Sequence, residues 1–96
     1  MASALAKKLR EVDKVDFIIA LTHSTNAFDI KFAEAVPEID LVLGGHNHCV
    51  LRKMVNGTLV LKSGSNFREF SVLKFYHKDF APAGAYKLKG RYAITA

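Results

Sequence analysis

Three histidines follow two short apolar segments of the chain. His23 lies two residues after the apolar run at 15–21, and His46 and His48 lie just after the run at 39–43. Neutral imidazole binds zinc, iron and manganese-type ions. A His-x-His pair in an irregular loop can present its two rings to different ions, and paired cations clamp the attacking and leaving oxygens of a displacement. The spacing therefore predicts that these three side chains are metal ligands.

The segments around the histidines predict how they would meet. The runs VDFIIAL at 15–21 and IDLVL at 39–43 are typical of parallel strands buried on both faces. Residues 28–36 carry an apolar helical face and end before a proline, so strand, helix and strand form a βαβ crossover. Ligand sites form beyond the carboxyl ends of such strands. We expect Gly44 and Gly45 to let the backbone turn sharply and come close to ions there.

The first residues predict an amphipathic helix. Residues 3–13 contain an apolar stripe formed by Leu5, Leu9 and Val12. Ser3 is a candidate N-cap for this helix. We expect the helix to pack on the same sheet.

The second half predicts antiparallel strands. Asn56-Gly57 between two apolar runs is a strong hairpin signal. Residues 69–78 indicate a further strand, and 86–95 alternate as one half-exposed strand with a bulge at Gly90. The predicted fold class is thus α/β, a βαβ unit with parallel strands followed by antiparallel strands.

Length and composition restrict the class of protein. The chain has 96 residues, half of them apolar, which is enough for one small domain. No apolar run has the length of a membrane span, and the N-terminus lacks the apolar core of a signal peptide, so neither membrane insertion nor secretion is indicated. Cys49 is the single cysteine, which excludes an internal disulfide framework and a cysteine-rich zinc site. We interpret it as a small buried residue.

The net charge of +5 is unevenly spread. Residues 1–49 carry five Lys/Arg and seven Asp/Glu, whereas residues 50–96 carry nine and two. A basic half could attract nucleic acid, which makes a small basic nucleic-acid-binding domain one alternative. The basic residues are dispersed among strand positions, which favours a solvated sheet face.

Three segments resemble the calcineurin-like metallophosphoesterase superfamily, most closely its 5′-nucleotidase branch. They are IIALTH at 18–23, LVLGGHNH at 41–48 and VNGTLVLKSGSNF at 55–67, within a similarity over about residues 10 to 80. The most specific element is Gly-Gly-His-x-His. The resemblance implies that residues 1–96 form a single partial domain, the C-terminal half of a catalytic domain. Its fold would be the second half of a β-sandwich with flanking helices.

The resemblance also implies a ligand set. His23 and His46 would bind one divalent metal and His48 the other, the two ions being zinc, manganese, iron or magnesium. In that family the pair holds a bridging hydroxide that attacks phosphorus, and the expected substrates are phosphate esters of nucleotides or similar compounds.

The acidic motifs that precede these segments in the family are absent from the chain. They are Asp-x-His, Gly-Asp-x-x-Asp and Gly-Asn-His-Asp/Glu. We therefore expect no catalytic residue here, weak metal binding, and negligible hydrolysis by this chain alone. The expected partners are a missing N-terminal half or a second copy paired through exposed strand edges. A non-catalytic remnant or interaction module is the main alternative.

Other polar residues near the histidines are secondary candidates. Asp29 is placed to cap the second helix. A hydrogen bond to His23 or to a phosphate oxygen could come from any of three flanking residues, Thr22, Ser24 and Asn26. The segment 63–68 is either a turn between strands or a loop that brings Arg68 or backbone amides to the phosphate.

Overall fold

The computed structural model describes residues 2–64, 70–88 and 92–96. The described part of the chain contains two α-helices, one short 3-10 helix and seven strands. In chain order they are α1 (Ala2–Glu11), β1 (Ile19–Thr22), α2 (Asn26–Ala35), β2 (Leu41–Gly44), β3 (Val50–Val55), β4 (Thr58–Ser63), β5 (Lys74–His77), the 3-10 helix (Lys78–Phe80), β6 (Tyr86–Lys87) and β7 (Tyr92–Thr95).

The first sheet has the strand order β1-β2-β4-β3. β1 and β2 run parallel and are joined through α2, and β4 adds to β2 in the same direction. β3 and β4 form an antiparallel hairpin. Its two loop residues both have positive φ, 49° at Asn56 and 84° at Gly57, which the Asn-Gly pair adopts at low cost. The predicted α/β fold class, parallel strands followed by antiparallel ones, is confirmed.

Two layers cover this sheet, one on each face. Both helices contribute to an apolar cluster on one face, with Ala6, Ala33 and Val42 buried in it. The second sheet, of order β5-β7-β6, contributes to a cluster on the other face. There Leu59 of the first sheet and Ile94 of the second are fully buried. The central strands β2 and β4 are therefore covered on both sides.

The prediction that the first strand is buried on both faces is wrong. β1 is an edge strand, and on the face away from the helices Ile19 is 45% and Leu21 82% exposed. The apolar run predicted burial because it resembles β2, whose Leu41 is fully buried. The two strands differ in exposure because β1 lies at the edge of the sheet and β2 at its centre, and an apolar run does not reveal which position a strand takes.

The predicted helix exists, but it packs through a different stripe. Ala6 is buried, with Ala2 and Leu9 against the same cluster, whereas Leu5 and Val12 are exposed. Ser3 lies inside α1, so the proposed cap is also wrong.

The C-terminal segment forms two strands where one was predicted. β6 and β7 pair antiparallel, and the Leu88 amide donates to the Tyr92 carbonyl at 3.2 Å. The alternation of apolar residues is the same for one strand and for a hairpin, so it did not reveal the reversal. The bulge predicted at Gly90 lies outside the described residues. No helix in residues 2–64, 70–88 and 92–96 is long and apolar enough to cross a membrane.

Candidate functional site

The carboxyl ends of three parallel strands share one edge of the first sheet. β1 ends at Thr22 and β2 at Gly44, which are paired neighbours. Immediately beyond them the Gly45 amide donates to the Thr22 carbonyl at 3.0 Å. The loop after β1 carries His23, and the loop after β2 carries His46 and His48. The crossover thus brings the two loops together, as the sequence predicted.

His23 and His46 lie side by side at this edge. Their ring centroids are 5.2 Å apart, with an interplanar angle of 79°. Both side chains are exposed, and so is His48. Within the described ranges no group of three or more His, Cys, Asp or Glu side chains could hold a metal ion, so the structure does not add His48 to this pair.

The backbone at His46 is strained. Its φ is 73°, in the left-handed region that non-glycine residues rarely adopt. The turn continues with a hydrogen bond of 2.9 Å from the Asn47 amide to the Gly45 carbonyl. The sharp turn predicted for the glycines is therefore made at the histidine.

A buried ion pair lies beneath the two loops. The Lys62 Nζ is 3.1 Å from the Asp29 Oδ2, and the two side chains are 1% and 0% exposed. The same ammonium donates to the Ser24 carbonyl at 2.7 Å and to the Asn47 Oδ1 at 3.0 Å. The interpretation of the basic residues as a solvated face is wrong for Lys62, which is buried on the same, helix-facing side of β4 as Val60.

Gly44 provides the space for this pair. A Cβ atom there would lie 2.7 Å from the Lys62 Cε and 2.8 Å from the Asp29 Oδ2. Real Cβ contacts are longer, so any side chain at position 44 would displace the pair. The absent side chain accommodates a buried ion pair, whereas the sequence suggested an approach to metal ions. At Gly45 a Cβ would lie 3.2 Å from the His23 Nδ1, a tight but less severe contact.

Asp29 does not cap α2. The Thr25 side chain does so by accepting a hydrogen bond of 3.2 Å from the Phe28 amide. Asp29 faces inward from the first turn of the helix and is fully buried. Sequence reasoning missed Lys62 altogether, and it named Asp29 but assigned it a cap instead of a buried ion pair. The available signal was the lysine that directly follows the apolar run Leu59 to Leu61 within the same strand.

The polar residues that flank His23 connect the loops to each other. The Asn26 side-chain Nδ2 donates to the Cys49 Sγ at 3.7 Å. Cys49 is exposed, so its interpretation as a buried residue is wrong. The Thr22 Oγ1 and the Asn26 Oδ1 are buried without a hydrogen-bond partner among the described residues.

The loop that follows β4 is described only at its start. The Ser63 and Ser71 hydroxyls are 2.7 Å apart and hydrogen-bonded. Arg68, the candidate phosphate contact, lies outside the described residues. His77, the fourth histidine of the chain, belongs to β5, and its Nδ1 accepts a hydrogen bond from the Asp79 backbone amide at 3.3 Å.

Comparison with known proteins finds two partial relatives. The trifunctional nucleotide phosphoesterase protein YfkN of Bacillus subtilis (strain 168) is 43% identical over 53 residues, which is 55% of this chain and 4% of that protein. An apyrase of Tabanus yao is 43% identical over 47 residues, 48% of this chain and 8% of the apyrase. The chain thus matches less than a tenth of the length of either relative. No family model matches, and no solved structure matches.

About half of this chain is nucleotidase-like in sequence. The mixed α/β fold is compatible with a fragment of an α/β domain.

Proposed function

We propose that this chain carries part of the metal site of a nucleotide phosphoesterase of the calcineurin-like type, and that it corresponds to the C-terminal half of the catalytic domain. His23 and His46 bind one divalent cation, and His48 binds a second. The complete site hydrolyses phosphate esters of nucleotides or similar compounds. The 96-residue chain alone binds metal weakly and is inactive.

The observation that carries this proposal is the pairing of His23 with His46. Their rings are 5.2 Å apart at the carboxyl ends of adjacent parallel strands, where α/β sheets place their ligand sites. The partial identity to nucleotide phosphoesterases supports the reaction class.

The donor set fits part of a metal site. Two exposed imidazoles are suitable ligands, and nearby the Thr22 Oγ1 and the Asn26 Oδ1 have no partner among the described residues. Unpaired buried oxygens are uncommon in folded proteins and could orient a ligand or a water. Three neutral imidazoles, however, bring no negative charge to balance two dications. The remaining ligands, carboxylates above all, must come from a segment with the missing acidic motifs.

Divalent cations would neutralise phosphoryl oxygens and acidify water at this edge of the sheet. The chain's own residues hold and orient the imidazoles. The hydrogen bond from Gly45 to Thr22 fixes the spacing of the two loops at their bases.

Zinc titration by isothermal calorimetry tests the ligand assignment. We expect weak binding to the wild-type chain and its loss in the variants His23→Ala and His46→Ala. His77→Ala is the matched control, because His77 is an exposed histidine of the other sheet, and it should bind zinc like the wild type. Zinc binding that survives both site variants, or tight binding of two ions per chain, would contradict the proposal.

A second candidate function is an interaction module that self-associates through β1. This edge strand, IALT, has no charged residue and exposes Ile19 and Leu21. The opposite edge strand, β3, carries Arg52 and Lys53, charges that discourage edge pairing. The β1 edge is therefore the better template for pairing with a second copy.

Sedimentation velocity over a range of concentrations tests this candidate. We expect concentration-dependent association of the wild type that Leu21→Lys abolishes, with no loss of stability because Leu21 is 82% exposed. Val12→Lys changes an exposed apolar residue away from the edge and serves as the control. A wild-type chain that remains monomeric at high concentration excludes the module.

A further inference from the structure

Lys62 donates to both histidine-bearing loops at once. One acceptor, the Ser24 carbonyl at 2.7 Å, belongs to the residue directly after His23. The other, the Asn47 Oδ1 at 3.0 Å, belongs to the residue between His46 and His48. The third partner is Asp29 of α2, at 3.1 Å. The contacts with Ser24 and Asn47 are hydrogen bonds, and the contact with Asp29 is an ion pair.

Fold stability alone gives little reason for a buried ion pair. Removing two charges from water costs several kcal/mol per ion, and a well-packed apolar pair of similar volume is often as stable or more stable. The cost is higher here because the Asp29 Oδ1 has no hydrogen-bond partner among the described residues. Position 44 must also lack a side chain to leave room for the pair.

The charge has a clear use at the ends of the strands. The loops after β1 and β2 are irregular, and their histidines are exposed, so packing does little to fix the rings. A hydrogen bond from an ammonium is stronger than one from a neutral donor. The single buried Nζ of Lys62, by donating to both Ser24 and Asn47, sets the distance between the two loops from inside the fold.

We propose that Lys62, held by Asp29, is a positioning residue that fixes the His23 loop against the His46–His48 loop. The metal-binding part of this inference rests on the proposed function, whereas the ordering of the loops does not. Lys62 is buried and acts through Ser24 and Asn47, so it does not contact substrate or metal itself.

The key variant is the double substitution Lys62→Met and Asp29→Leu. Methionine and leucine approximate the shapes of the original side chains, so no unpaired charge is left in the core. Lys53→Met, at an exposed lysine of the same hairpin, is the control. Three properties are measured on each chain: the thermal midpoint, amide hydrogen exchange by NMR, and zinc affinity by calorimetry.

The expected result separates local order from global stability. In the double variant the Gly45 and Asn47 amides exchange about tenfold faster or more, the loss expected for hydrogen bonds to a charged group. The Leu59 amide, which donates to the Asp40 backbone carbonyl at the other end of the sheet, exchanges as in the wild type. The thermal midpoint is little changed, and zinc affinity falls at least several-fold. If the ion pair served only fold stability, the double variant would lower the thermal midpoint and leave amide exchange at Gly45 and Asn47 unchanged.

The readouts distinguish the two proposals. Faster exchange at Gly45 and Asn47 in a protein that binds no zinc even as wild type would refute the proposed function and support the positioning role. Unchanged exchange at both amides in the double variant would overturn the positioning role, whatever the zinc affinity. A uniform increase in exchange that includes Leu59 would also overturn it.

Discussion

The two ends of the parallel strands each contain a buried carboxylate paired with a cation, but the pairs have different partners. At the amino ends Arg10 of α1 contacts Asp40, and Arg10 also donates to the Glu38 carbonyl at 2.9 Å. Asp40 accepts a further hydrogen bond from the Ile18 amide at 2.9 Å. All these partners lie in α1 or just before a strand. This pair therefore fastens a helix to the sheet.

At the carboxyl ends the cation is more deeply buried and reaches loops. The Arg10 side chain is 29% exposed, whereas Lys62 is 1% exposed and binds the neighbours of the histidines. A partly exposed guanidinium loses little hydration and adds some stability. A fully buried ammonium loses its hydration, and the benefit that we propose for this cost is the ordering of the two histidine-bearing loops. The comparison fits the proposal that the pair at the amino ends stabilises the fold and the pair at the carboxyl ends orders the histidine loops.

The largest expected effect on stability comes from removing one partner of the Lys62–Asp29 pair and leaving the other in place. Lys62→Met leaves the Asp29 carboxylate buried and unpaired, and we expect a loss of about 3–5 kcal/mol of unfolding free energy. Urea unfolding measures it. The double variant with Asp29→Leu should recover most of that loss, because it removes the orphaned charge. Equal losses in the single and double variants would show that side-chain packing, not charge, governs this end.

The amino-end pair should affect stability without affecting the site. Asp40→Ala removes the partner of Arg10 and leaves the Ile18 amide buried and unpaired, at a cost of about 2–3 kcal/mol. Asp13→Ala, at an exposed aspartate, is the control and should change little in urea unfolding. Zinc affinity measured well below the unfolding transition should match the wild type. If Asp40→Ala lowered zinc affinity without lowering stability, the proposed difference between the two ends of the sheet would be wrong.

A smaller effect is expected from filling the space above Lys62. Gly44→Ala places a Cβ against the Lys62 Cε and should cost about 1–3 kcal/mol. The Cβ of Gly45→Ala would lie 3.2 Å from the His23 Nδ1, its nearest contact, so this variant should destabilise less while shifting the NMR signals of that ring. Urea unfolding and histidine side-chain NMR spectra check both. The reverse order of stability losses would contradict the packing described at position 44.

Local signals predicted the parts of the fold that depend on neighbours in sequence. Asn56-Gly57 gave the hairpin because its backbone preference is intrinsic, and the crossover between 15–21 and 39–43 gave the parallel pair and the meeting of the histidine loops. The metal assignments of His23, His46 and His48 stay predictions. The sequence did not predict the features that depend on residues far apart in the chain. The exposure of Leu21 depends on which strand lies at the edge, and the burial of Lys62 depends on a carboxylate 33 positions earlier in the chain.

The left-handed backbone of His46 has a consequence for how the chain would respond to laboratory evolution. An L-residue in that conformation costs roughly 1–2 kcal/mol that glycine would not incur. A screen for thermal tolerance alone would therefore favour glycine at position 46 and discard an imidazole. A screen for metal capture would favour the less stable histidine. Because of this backbone angle, the residue that gives the highest thermal stability at position 46 is not the one that can bind a metal ion.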